Sequence, residues 1–353
     1  MRSNPTPASR LAWADLARGG AMILVVFAHA VQLLDAYGWT LGWLDPANTY
    51  LTAIRMPLFF LISGVFAARA VRRSWPGLFS SRLALLAYVY LLWMLVRAIW
   101  FSVVPWPLDD VPPWLALAVA PVWPTNGLWF LYALILYLVL AKLTLRWPRW
   151  MVIALFAALS VAAAYGVVAW LAGGASAWTW TWNSIAMYGL FFMLGVHGSR
   201  MWRDLAARTR VWWAVPAAVA IPLGVIGFTL LPAPLLGVGR IALSVASVAA
   251  CVVIAAAVAR WEPFARTFVY IGGRTLPIYV VHAMLLAALV PLAPADAVIS
   301  WVAVLVLVGL GVVIPLGLYR WLGPIGGVFN LPHPLARSLV RWRARREPEP
   351  ESA

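Results

Sequence analysis

His29 follows Arg18 by eleven residues within one apolar stretch that opens at Trp13, and Asp15 stands three residues before the arginine. Ionisable side chains are costly in a segment of membrane-spanning length, so these three mark the helix as a place for chemistry. At about 100° per residue, eleven steps make three turns plus about 20°, which puts Arg18 and His29 on one face, roughly 16 Å apart along the axis. The guanidinium suits an anion. The imidazole, with its ordinary pKa close to neutrality, suits proton transfer as a general base, or transient covalent catalysis as a nucleophile. Asp15 can pair with Arg18 across one turn. Plainer readings stand beside these: His29 as a core histidine bonded to a neighbouring helix, and Asp15–Arg18 as an ion pair anchoring the helix at the headgroups.

Arg55, Arg97 and Arg240 also fall within or at the edge of apolar segments, where an arginine costs on the order of 2.5–3.5 kcal/mol at the helix centre. Together they could line one outward-opening cavity for an anionic acceptor or for the carboxylate of a dicarboxylic acyl group; snorkelling, or pairing with Asp35, Asp45, Asp109 or Asp110, is the alternative for each. Tyr279 and His282 share a helical face and are candidates for orienting a substrate, or for packing. Asn126, Trp129 and Tyr132 have the spacing of a sugar-stacking edge or of an interfacial aromatic anchor.

These residues must be positioned by membrane-crossing helices. The chain of 353 residues is 64% hydrophobic and 10% charged, with repeated apolar runs near twenty residues long. The runs are continuous rather than alternating, which excludes a β-barrel, and so much apolar surface excludes a soluble domain. Spans are predicted near 12–34, 49–69, 82–104, 126–145, 150–171, 181–199, 211–231, 236–259, 274–292 and 298–319. All but four of the 26 Lys and Arg lie in every second loop or in the end segments, and the intervening loops hold none. The positive-inside rule therefore predicts an all-α polytopic membrane protein of about ten helices with both termini cytoplasmic. That orientation sets Arg18 in the inner half of the bilayer and Arg55, Arg97 and Arg240 in the outer half. The outer segment Pro105 to Thr125, rich in Pro and Trp, is expected to lie on or re-enter the membrane as a lid, or to be a loop.

The net charge of +15 would suit nucleic acid, but its distribution by loops serves topology instead. A single Cys251 excludes an intramolecular disulfide and a multi-cysteine metal site, and no two of the four histidines have ligand spacing on one helix, so no metal is expected.

Four segments resemble the integral-membrane acyltransferase 3 family: Asp15-Leu-Ala-Arg18-Gly19 with its spacing to His29, Arg55-Met-Pro57-Leu-Phe59-Phe60-Leu-Ile-Ser63-Gly64, Leu128-Trp129-Phe130-Leu-Tyr132, and Pro277-Ile-Tyr279-Val-Val-His282. The second is similar to the branch that includes the periplasmic-glucan succinyltransferases. One departure concerns the Arg-x-x-Arg pair that the family often carries entering span three, where this chain reads Arg82-Leu-Ala-Leu85. Arg69, Arg72 and Arg73 in the same loop could supply the missing charge.

The resemblance implies an O-acyltransferase that uses cytosolic acyl-CoA as co-substrate, with no tightly bound cofactor. The acyl group, of acetyl or succinyl type, would pass to a hydroxyl of an envelope glycan, lipid or small molecule on the outer side of the plasma membrane, the inner membrane in a bacterium. On that reading His29 is the catalytic residue, Arg18, Asp15, Arg82 and Arg72 serve the donor, and Arg55, Arg97, Trp129, Tyr132, Arg240, Tyr279 and His282 serve the substrate. The expected organisation is a cytoplasmic segment 1–11, a transmembrane domain 12–320 and a cytoplasmic tail 321–353, with the membrane domain carrying the transfer alone. A transporter or flippase for an anionic or glycolipid substrate would also call for intramembrane arginines and a titratable histidine, and a catalytically silent scaffold is a third possibility.

Overall fold

A computed structural model describes residues 12–108, 110–124, 127–171, 173–174, 176–293 and 299–346. Among them there is no strand, and eight helices are long and apolar enough to cross a membrane. The protein is an all-α polytopic membrane protein, because helices close every backbone hydrogen bond internally where water is absent.

Helix α1 (Ala12–Ala36) lies at the centre and α2 (Leu44–Ala67) runs back beside it. A short α3 (Trp75–Leu78) is capped by Ser74, whose Oγ accepts from the Gly77 N–H at 3.1 Å. It passes through a π turn, Phe79–Leu83, into α4 (Ala84–Phe101). After α5 (Pro113–Val119) come α6 (Trp129–Leu143), α7 (Arg149–Ala164), the short α8 (Val167–Leu171) and α9 (Ala177–His197). The amphipathic α10 (Ser199–Arg208) precedes α11 (Ala214–Thr229) and α12 (Leu236–Val258). The chain closes with α13 (Glu262–Gly272), α14 (Thr275–Leu289), α15 (Ser300–Leu322) and α16 (His333–Arg346).

Of the ten predicted spans, the two outside the eight long helices fall on α7, which has 16 residues, with α8, and on α9, which has 21. Helix α1 packs on α2, α12, α13, α14 and α15, so the helix that carries Asp15, Arg18 and His29 has neighbours on several sides. Helix α11 is the opposite case: none of its residues is buried, and it leans on α12, an apolar surface suited to lipid.

The segment between α4 and α6 turns back into the bundle. Tyr90 donates to the Ala120 carbonyl at 2.8 Å, and Tyr90 lies eleven residues in from the end of α4, roughly 16 Å. Non-helical backbone at this depth is tolerated because it is buried in protein and supplied with partners. It also explains why α6 is only 15 residues long. Past α15, the segment expected as a tail begins by docking on α4: Tyr88 and Trp93 donate to the carbonyls of Gly327 and Val328, and Phe329 stacks on Trp93.

Candidate functional site

The inner end of α1 is fixed by a close crossing with α13. A Cβ on Gly19 would strike the Phe268 carbonyl, and one on Gly272 would strike the Asp15 carbonyl, so only glycine lets the two backbones meet. At this crossing Arg18 donates from Nε to the Gly272 carbonyl at 2.7 Å and from Nη2 to Asp15 at 3.3 Å, and its guanidinium lies over the Phe66 ring. The expected Asp15–Arg18 pair is therefore formed. It leaves part of the arginine facing a cavity of about 220 Å³.

Arg82 lines the same cavity from the π turn, a local widening of the helix often found at functional positions. Leu85 lines it too, so the position of the family's second arginine is an apolar wall here. Arg72 is exposed in the turn after α2 and does not line the cavity, so it does not replace that charge. Beyond the two arginines the chamber is lined mainly by apolar side chains, with Ser63 and Thr275 between them, and it reaches Phe130 and Tyr279 at the other end.

Tyr279 and Phe130 form a partition. Their rings meet edge to face at 5.5 Å between centroids. The Tyr279 hydroxyl donates to the Gly127 carbonyl at 2.7 Å and accepts from the Phe130 N–H at 3.3 Å, which ties α14 to the start of α6. Gly127 holds a φ of +73°, and a Cβ there would lie 3.0 Å from Nη1 of the fully buried Arg97.

On the far side of the partition His29 meets His282. The two residues are 253 positions apart in sequence, yet His282 Nε2 is 3.4 Å from His29 Nδ1 and the rings stand edge to face at 4.9 Å. His282 Nδ1 lies 2.8 Å from the Ile278 carbonyl and His29 Nδ1 lies 2.9 Å from the Val25 carbonyl. Carbonyls only accept, so both Nδ1 atoms carry the hydrogen, and in the neutral rings both Nε2 atoms carry lone pairs. The His282 lone pair points at the His29 N–H; the His29 lone pair is left for another proton. Trp106, from the segment that turns back, sits 6.4 Å from the His29 ring. Among the described residues no third His, Cys, Asp or Glu joins the two histidines, one short of the three side chains a catalytic zinc takes.

A second cavity, of about 360 Å³, lies toward the ends of α1 and α11 and the starts of α2 and α12, the side that the distribution of arginine predicts to be the outer one, and is lined by Gln32, Asp45, Asn48, Arg55 and Arg240, among others. The expectation that Arg55, Arg97 and Arg240 share one cavity needs correction: Arg55 and Arg240 do, whereas Arg97 is drawn to Gly127 and lies over the Phe101 ring, 5.9 Å from its centroid. Trp129 and Tyr132 line neither chamber and form no sugar-stacking edge. Trp129 is buried against Phe60, Trp180 and Tyr188, and the half-buried Tyr132 donates its hydroxyl to the Pro121 carbonyl at 3.3 Å. Asn126 and Asp109 lie outside the described residues.

Several contributors escaped the sequence reading. Asn48 is seven residues before Arg55, two turns on one face, and that spacing was the available signal; Gln32 is likewise three past His29. Trp106 and Gly127 gave none.

The site is thus that of a helical membrane protein with two chambers and a histidine pair that lines neither of them. Residues 11–320 match the family model described as the acyltransferase domain, Acyl_transf_3, and the chain belongs to that family of membrane acyltransferases. No curated protein and no solved structure matches it.

Proposed function

We propose that this acyltransferase moves an acyl group of acetyl or succinyl type from cytosolic acyl-CoA to a hydroxyl presented at the outer side of the plasma membrane, with His29 as general base. The observation that carries the reading is the hydrogen-bond arrangement that leaves His29 Nε2 with a lone pair, on the helix that also carries Arg18 of one chamber and Gln32 of the other. Arg18 and Arg82 at the inner mouth receive phosphate of the donor, and the thioester arm extends along the apolar chamber toward Tyr279. His29 takes the acceptor proton as the hydroxyl oxygen attacks the thioester carbonyl carbon. A C–O bond forms, the C–S bond breaks, and the proton passes from the imidazole to the departing thiolate. Arg97 supplies positive charge for the tetrahedral oxyanion, and His282 holds the base in the required tautomer and ring orientation. Acyl-CoA acts as a co-substrate, so no resident cofactor enters the cycle. The acceptor is a glycan, lipid or small molecule of the envelope.

The test is thiol release from acetyl- and succinyl-CoA by the purified chain, with an envelope extract as acceptor and mass spectrometry of the product. Acceptor-dependent release should fall about 10²- to 10⁴-fold in His29→Ala, the usual worth of a general base. Full activity in a stably folded His29→Ala protein would discard the assignment. Movement of an unmodified substrate with no thiol release would favour the transporter reading over acyl transfer.

A further inference from the structure

The outer cavity combines two arginines with one carboxylate and uncharged hydrogen-bonding groups. Arg55 is 8% exposed, and its Nη1 donates to the Asn48 carbonyl at 3.1 Å and to Asn48 Oδ1 at 2.6 Å. Both acceptors are neutral. Among the described residues the ion pairs are Asp15–Arg18, Arg200–Asp204 and Glu262–Arg266, so neither Arg55 nor Arg240 is neutralised by a carboxylate. Tyr188 hydrogen-bonds to Arg240 and lies within electrostatic reach of Arg55, but it offers only a neutral phenol. A guanidinium fixed in a membrane-embedded wall without a counter-ion is expensive unless a ligand brings the opposite charge.

The lining also limits which anion fits. Two arginines and Asp45 leave the chamber one positive charge, matched to a monoanion. Asp45, Gln32 and Thr49 supply acceptors for hydroxyl hydrogens. Gln32 stands three residues beyond His29 on the same helix, so the chamber ends within one turn of the imidazole.

We propose that the outer cavity is the acceptor site and that the acceptor is a hydroxylated organic monoanion, its carboxylate or phosphate held between Arg55 and Arg240 and its hydroxyls directed to Asp45, Gln32 and His29. This rests on the acyl-transfer reading for its meaning, but not for its test. Two sources share the chemistry: an acidic sugar entering from outside, or the headgroup of an anionic lipid.

The experiment measures equilibrium binding to the full chain in neutral phosphatidylcholine nanodiscs without any acyl donor. The probes are 4-nitrophenyl β-glucuronide and the uncharged 4-nitrophenyl β-glucoside; a parallel arm compares nanodiscs with and without phosphatidylglycerol. For an acidic sugar, the glucuronide should bind about tenfold or more tightly than the glucoside, one charge-assisted pair's worth, and weaken as salt is raised. Arg240→Gln should bring the two within about threefold of each other, while Arg240→Lys keeps part of the preference. For a lipid headgroup, Arg240-dependent enrichment of phosphatidylglycerol should appear instead. Equal binding of both glycosides with no Arg240-dependent lipid preference overturns the proposal, as does an anion preference untouched by Arg240→Gln in a protein of unchanged Tm. An anion preference without acceptor-dependent thiol release would keep this site and discard acyl transfer; thiol release without the preference would do the reverse.

Discussion

Removing the imidazole of His282 deprives the His29 N–H of its second acceptor but leaves the Val25 carbonyl in place. His282→Ala should therefore lower kcat by about 10- to 100-fold, the range seen when the group that orients a ligating histidine is lost, with the donor KM little changed. A larger KM effect would assign His282 to binding. If the base mechanism holds, incubation with acyl-CoA alone should leave the intact protein mass unaltered; an acyl adduct mapped to His29 would establish the covalent route instead. The Arg18–His29 spacing was legible because both residues lie on one helix. The His29–His282 contact was not, since a single chain contains no signal of distance between positions 253 residues apart. For the same reason Arg97 was grouped with the wrong partners: its half of the bilayer could be read from charge alternation, its neighbours could not.

At the scale of elements, the α1–α13 crossing has no room for a side chain. Gly272→Ala must push α13 from α1, at a cost of about 1–3 kcal/mol, the usual range for overpacking. The expected result is a lower Tm, together with weaker donor binding, because the Gly272 carbonyl positions Arg18. The segment that turns back depends on a different contact. Tyr90→Phe leaves the Ala120 carbonyl without its phenolic donor, a loss of about 1–3 kcal/mol if nothing replaces it. Protease nicking between positions 105 and 124 should quicken in that variant. Long helices were legible from apolar runs, and the Pro- and Trp-rich composition of this segment pointed to membrane contact. Its depth was not legible, because the partners that satisfy its backbone come from α4, α6, α9 and α14. Trp129 looked like part of a surface edge and is instead buried against Phe60 of α2 and Tyr188 of α9, neighbours that spacing along α6 does not show.

For the whole molecule, the regular placement of arginine fixes an orientation that labelling can check. In a Cys251→Ser background, Trp43→Cys should react with a membrane-impermeant thiol reagent added outside intact cells, and Trp147→Cys should react only after permeabilisation. The reverse pattern would invert the topology and with it the assignment of the two chambers. Hydropathy and charge alternation were enough to read the class of fold, since both are set by the bilayer rather than by packing. The division into two chambers was not, because a cavity is defined by side chains from several helices at once.

Arg18 and His29 ride on one unbroken helix, so their separation of roughly 16 Å is a constant of the molecule. The helix works as a caliper. On the proposed reading its inner jaw would grip the charged end of the donor and its outer jaw would mark where the reactive carbonyl must arrive, so donors would be graded by the reach of the arm that bears the acyl group. The same acyl group on an N-acetylcysteamine thioester, which has the bond to be broken but not the length, should be transferred poorly even at high concentration.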